Sequence, residues 1–84
     1  MLNIPVPLSQ IPVGATGMVS KINSEGIIRR RLLDLGFVSG TKIEVLRKSP
    51  IGDPTAYFIR GAIIALREVD AEKILVSPLK DNLW

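Results

Sequence analysis

Only one stretch of this chain is written in a helical period, and everything around it is short, β-patterned and punctuated by glycine and proline. That stretch is SEGIIRRRLLDLG at residues 24–36. Ile28, Leu32 and Leu35 stand at i, i+4 and i+7, Asn23 or Ser24 is placed to cap the start, and Gly36 supplies a left-handed stop. Gly26 weakens the first turn by up to about 1 kcal/mol relative to alanine, so the helix depends on docking its apolar stripe onto other elements. A ferredoxin-like sandwich needs two substantial crossover helices, and one helix does not supply them.

The remaining elements read as strands. Residues 1–12 are apolar but contain Pro5, Pro7 and Pro12, each lacking a ladder donor, so they form an arm or an edge crossing. Residues 16–23 place Val19 and Lys21 on one face and Met18, Ser20 and Ile22 on the other. In residues 41–48, Ile43 and Val45 alternate with Lys42, Glu44 and Leu46. The polar connection SPIGDP leads to a strand at 55–60, which Gly61 and Ala62 turn back into another at 63–67. Asp70 caps a short turn at 71–73, and the last strand covers 74–76. Five short strands, with one helix between the first two and a helical turn before the last, predict a mainly β fold. The expected architecture is a small SH3-like barrel with the helix plugging one end. Leu32, Leu35, Ile43, Val45, Ile64 and Leu66 are its expected core, with Gly36 and Gly40 as local backbone solutions. The 84 residues give one domain, with its core at about 8–77 and a tail at 79–84.

Composition narrows the chemistry. With no His and no Cys, the chain has no imidazole base, no thiolate nucleophile and none of the usual zinc, haem or iron-sulfur ligands; carboxylates, Met18 and backbone groups are what remain, and neither a metal site nor a cofactor is expected. Asp34, Asp53, Glu68 and Asp70 are the carboxylates nearest in kind to a catalytic pair, yet nothing in their spacing fixes a separation. No phosphate-binding GxxxxGK[ST] loop is present, and the chain does not read as an enzyme. MLNIPVPLS lacks the basic start and long apolar run of a signal peptide. No stretch approaches the roughly 18 apolar residues of a spanning helix, so a cytoplasmic protein without direct membrane insertion is expected.

Binding is left. Arg29, Arg30 and Arg31 point about 100° apart on a helix, so at least one guanidinium faces solvent and can grip a carboxylate or phosphate. The alternative is a solvated face paired internally with Asp34 or Glu25. The 49–55 connection, with Ile51 exposed and Asp53 in its turn, sits where a small barrel presents a peptide-binding edge, and of Tyr57 and Phe58 one faces the core and the other such a surface. The net charge of +3 favours an acidic partner. Nucleic acid is not expected as that partner, since a helix-turn-helix has no room here.

The run Gly26-Ile27-Ile28-Arg29-Arg30-Arg31-Leu32-Leu33-Asp34-Leu35-Gly36-Phe37, followed by Ser39-Gly40-Thr41-Lys42-Ile43, resembles the FeoA family. The likeness continues through Pro50, Gly52-Asp53-Pro54, Gly61, Ile64-Ala65-Leu66-Arg67, Asp70-Ala71 and residues 74–76. The resemblance implies an SH3-like accessory or regulatory protein of bacterial ferrous iron uptake. Its partner would be the cytoplasmic region of the GTP-hydrolysing membrane transporter FeoB, which would hold it peripherally at the inner membrane. The same barrel type is appended to metal-dependent repressors, so a metal-linked or nucleic-acid-associated regulatory module is the alternative. A homo-oligomeric scaffold, paired through sheet edges or the arm at 2–8, is a third reading.

Overall fold

The computed structural model describes residues 4–79. Among them, six antiparallel strands form one sheet: β1 (Val6–Pro7), β2 (Thr16–Ile22), β3 (Lys42–Lys48), β4 (Thr55–Ile59), β5 (Ala62–Leu66) and β6 (Ile74–Pro78). Their spatial order is β1-β6-β2-β3-β4-β5. A 3-10 turn (Leu8–Gln10) follows β1, helix α1 (Gly26–Asp34) joins β2 to β3, and the single turn α2 (Glu68–Ala71) precedes β6. Residues 80–84 of the expected tail, and 1–3 of the expected arm, lie outside the described residues.

The expected closed SH3-like barrel is not what forms. β1 and β5 stand at opposite ends of the strand order and make no ladder with each other, so the sheet is open. The cause lies in the N-terminal segment. It contributes a sixth strand, but one only two residues long, and Pro5 and Pro7 carry no N–H with which to complete a seam. Side chains seal the interior instead. Leu8 of the 3-10 turn is fully buried, and that turn packs against α2 and β6.

Two irregularities set which side chains point inward. The register of β2 against β6 shifts between Val19 and Lys21. A bulge there reverses the alternation, which is how Val19 and Ile22 both reach the core although simple period-two counting separates them. A second shift, between Val45 and Arg47, lies in β3 against β4. Gly17 keeps β2 close to β6, because a Cβ at that position would stand 3.1 Å from the Ser77 carbonyl oxygen. Ile43, Val45, Ile59, Ile74 and Val76 complete the inner face of the sheet, each contributing about 1.5–3 kcal/mol through burial.

Helix α1 starts and stops differently. At its N-terminus neither Asn23 nor Ser24 caps; Glu25 holds the cap position without a side-chain hydrogen bond. The Asn23 N–H donates to the Lys73 carbonyl instead, tying the end of β2 to the chain just before β6. Its C-terminus is a Schellman motif. The Gly36 N–H donates to the Leu33 carbonyl and the Phe37 N–H to the Leu32 carbonyl, with Gly36 at φ +113°. The apolar contact that accompanies this motif joins Leu32 and Phe37, both wholly buried. The stripe is therefore narrower than its spacing implies: Leu32 is inside, Leu33 packs at the margin, and Ile28 and Leu35 are 37% and 38% exposed.

The β4–β5 hairpin turns at Arg60 and Gly61 rather than at 61–62. Both residues have positive φ, 53° and 83°, as a two-residue type I′ turn requires. The last helical turn also falls earlier than expected. It covers α2 with Arg67 at its N-cap, and Asp70 lies inside it.

Candidate interaction surface

The arginine run occupies the solvent side of α1, where the helical spacing divides its members among different tasks. Arg30 lies 3.6 Å from Asp34 across one turn, with both side chains largely in water. Such a pair contributes a few tenths of a kcal/mol. Arg31 reaches out of the helix, and its guanidinium donates to Asp70 Oδ2 at 3.1 Å. That carboxylate is only 16% exposed, so the bridge fastens α1 to α2. Arg29 is exposed and has no ion pair among the described residues. Beside it Ile27, at 87% exposure, puts an unburied aliphatic side chain on the same helix.

The 49–55 connection splits in the same way. Ile51 is 89% exposed. Asp53 faces back toward the fold, and its Oδ1 accepts the Glu68 N–H at 2.9 Å, satisfying one of the free donors at the start of α2. Tyr57 is buried; Phe58, its neighbour along β4, is the aromatic left on the outside. Burial pushes the Tyr57 hydroxyl pKa up from 10.0, Asp53 and Glu68 add to that, and a hydrogen bond with Thr55 opposes it. Ser9, Lys48, Gly52, Thr55, Tyr57 and Glu68 line a cleft of about 50 Å³, room for a few waters.

The structure thus leaves Arg29, Arg30 and Ile51 facing outward and draws Arg31, Asp53 and Tyr57 into contacts within the fold. The carboxylates are dispersed among these contacts, Asp34 with Arg30, Asp53 with α2 and Asp70 with Arg31. Among the described residues no three of them gather closely enough to hold an ion. No helix there is long and apolar enough to cross a membrane. The sequence reading passed over Ile27 and Ile63 as exposed apolar groups. Ile63 had a signal, since it pairs with Phe58 across the hairpin and must share its face.

Comparison with known proteins gives these features a family. The model of the FeoA domain matches residues 6–78. A Fe(2+) transport protein A/Fe(2+) transporter FeoB fusion protein of Porphyromonas gingivalis is 35% identical over 75 residues, which is 89% of this chain and 9% of the relative. The chain therefore spans about a tenth of the curated relative that it matches. Among solved structures, a FeoA-like protein from Clostridium acetobutylicum superposes with a TM-score of 0.88 at 32% identity, covering 99% of this chain and 96% of that one. The FeoA protein from Chlorobium tepidum gives 0.84 at 37% identity, over 93% of this chain and 74% of the other. Since the domain model runs through every strand from β1 to β6, and these relatives share about a third of its residues, the chain belongs to the FeoA family.

Proposed function

We propose that this chain is a non-enzymatic accessory module of ferrous iron uptake that docks on the cytoplasmic part of a FeoB-type, GTP-hydrolysing transporter. The observation that carries this reading is the fused relative, in which transport protein A and the transporter FeoB are named as one polypeptide. Two modules tied in one chain meet at an effective concentration on the order of millimolar, a setting in which even a modest contact is occupied. The side chains favour contact over catalysis. The chain has no His or Cys, and Asp34, Asp53 and Asp70 are each held in an ion pair or a hydrogen bond. Arg29 and Arg30, with Ile51 from the 49–55 connection, are the groups offered to the partner. Arg31, Asp53 and Tyr57 brace the framework behind them.

Calorimetric titration against the purified cytoplasmic region of a FeoB-type transporter tests both parts. The wild-type chain is expected to bind, and the Arg29→Ala/Arg30→Ala double variant to bind at least about tenfold more weakly, as expected for lost charge-assisted contacts, with an unchanged thermal melt. Equal affinity of the folded variant removes the helix as the docking face. No binding by the wild type removes the functional reading itself.

A further inference from the structure

We propose that the free edge of β5 takes up an extended acidic segment of a partner protein as an added strand, held at both ends by arginine. This surface lies beside α1, whose Arg31 and C-cap Leu35 share an open pocket with Ala65, Leu66 and Arg67, but it does not use Arg29 or Arg30 and does not depend on the identity of the transporter.

The backbone provides the first argument. β5 is the last strand of the open sheet and pairs only with β4. The two-residue turn at Arg60 and Gly61 makes Ile59 and Ala62 the first hydrogen-bonded pair of the hairpin. Alternation then makes Tyr57 with Ile64, and Thr55 with Leu66, the next such pairs. Ile63 and Ala65 consequently aim their N–H and C=O groups away from β4. Both are exposed, and among the described residues neither forms a backbone hydrogen bond outside the β4 pairing.

Exposed edges are normally protected by a charge, a proline, a bulge or extreme shortness. The strand Ala62-Ile63-Ile64-Ala65-Leu66 has none of these, and its pairing with β4 is regular from end to end. On the outward face, Phe58 and Ile63 lie opposite each other at 42% and 60% exposure, so an apolar side chain on an added strand would extend an existing row.

Charge identifies the occupant. Arg60 and Arg67 flank the two ends of β5, and Lys42, Arg47 and Lys48 lie on β3 beyond β4. All five are exposed, and none has an ion pair among the described residues. Of the nearby acids, Glu68 shares the cleft beside Tyr57 with Lys48, Glu44 lies with Lys42 and Arg60, Asp53 accepts the Glu68 N–H and Asp70 is engaged by Arg31. The five cations therefore outnumber Glu44 and Glu68, the two acids whose carboxylates are in neither an ion pair nor a hydrogen bond of this group. Antiparallel self-pairing of two copies centred on Ile64 would set Arg60 of one opposite Glu68 of the other but leave Arg67 opposite Gly61, so a second copy answers only one of the two arginines on each strand. An acidic guest meets the same ends with favourable pairs. The five residues of β5 span about 17 Å, so the guest's carboxylates should flank an apolar stretch of about five residues.

The test uses the full-length chain, labelled with nitrogen-15 and titrated with a capped peptide, Glu-Asp-Val-Val-Phe-Val-Val-Asp-Glu. The expected result is amide shifts centred on β5, at least tenfold slower exchange of the Ile63 and Ala65 amides at saturation, and affinity that falls as salt is raised. A peptide with lysine at every acidic position is expected to bind at least tenfold more weakly. Ala65→Pro deletes an N–H that faces solvent, a position where an edge strand tolerates proline, and should abolish binding. Arg60→Glu/Arg67→Glu, which leaves the strand intact, should reverse the preference between the two peptides. Shifts confined to α1 or the 49–55 connection, equal affinity for the lysine peptide, or unprotected Ile63 and Ala65 amides at saturation would each overturn the proposal. So would protection of those amides that grows with protein concentration alone, which would give the edge to a second copy.

Discussion

Truncation of two leucines one helical turn apart distinguishes a helix that docks through a full stripe from one that docks through a single residue and its cap. Leu32 has no accessible surface and lies in the same buried cluster as Phe37, so Leu32→Ala loses both transfer free energy and packing, about 2–5 kcal/mol. Leu35 is already 38% exposed. Only its buried share, roughly three-fifths of the ~1.5–3 kcal/mol for a full leucine, is at stake, or about 1–2 kcal/mol. A domain of this length has on the order of 4–13 kcal/mol in total, so Leu32→Ala removes a large part of it. Urea unfolding followed by far-ultraviolet circular dichroism reads the difference. With a slope near ~1 kcal/mol per molar, the midpoint should fall by at least about 2 M for Leu32→Ala and by about half as much for Leu35→Ala. If Leu32→Ala is largely unfolded in buffer alone, added sulfate restores a measurable transition for both variants. A midpoint for Leu35→Ala as low as that for Leu32→Ala refutes the reasoning, because it would mean that the helix buries its whole apolar stripe.

Gly36→Ala places a Cβ on a residue at φ +113° and 3.3 Å from Arg60 Cδ. The flexible arginine can yield but the backbone cannot, so a loss of at least ~1 kcal/mol is expected, seen as a melting temperature lower by about 4–8 °C; an unchanged melt would refute the Schellman end of α1. Tyr57 is the only tyrosine, so ultraviolet titration of phenolate reports it alone. Its midpoint should lie above 10.0 in the folded protein. Because the folded state holds that proton more tightly than the unfolded chain, the contribution to stability is complete below about pH 10 and declines as the pH rises toward the folded-state value. A midpoint at or below the ordinary tyrosine value refutes the burial argument.

Much of this architecture is legible from side-chain periodicity. In residues 42–45, Ile43 and Val45 alternate with Lys42 and Glu44 and are the inward residues of a strand; residues 55–59 also form the strand expected of them. What periodicity misses is governed by non-local backbone geometry. The bulge near Ser20 arises from pairing with β6, more than fifty residues later, and no local pattern announces it. Barrel closure depends on whether the first and last strands in spatial order can meet, and the prolines that prevent it read locally only as an edge signal. The division within Arg29, Arg30 and Arg31 is of the same kind: Asp34 is visible four residues on, whereas Asp70 comes beside Arg31 only once α2 is folded. For Asp53 and Tyr57, a turn and an aromatic were readable, but not that one would satisfy a donor of α2 and the other enter the core.

The two margins of the sheet are chemically unequal, and this bears on how copies of the protein behave when crowded. Head-to-tail growth of a filament would require β5 of one molecule to join β1 of the next. Among the described residues β1 offers two, one of them Pro7 with no N–H, so it presents too few donors there to receive a neighbour. Any strand laid along β5 is therefore the end of the series, and a sheet with one receptive margin can be capped once without becoming a template for fibres.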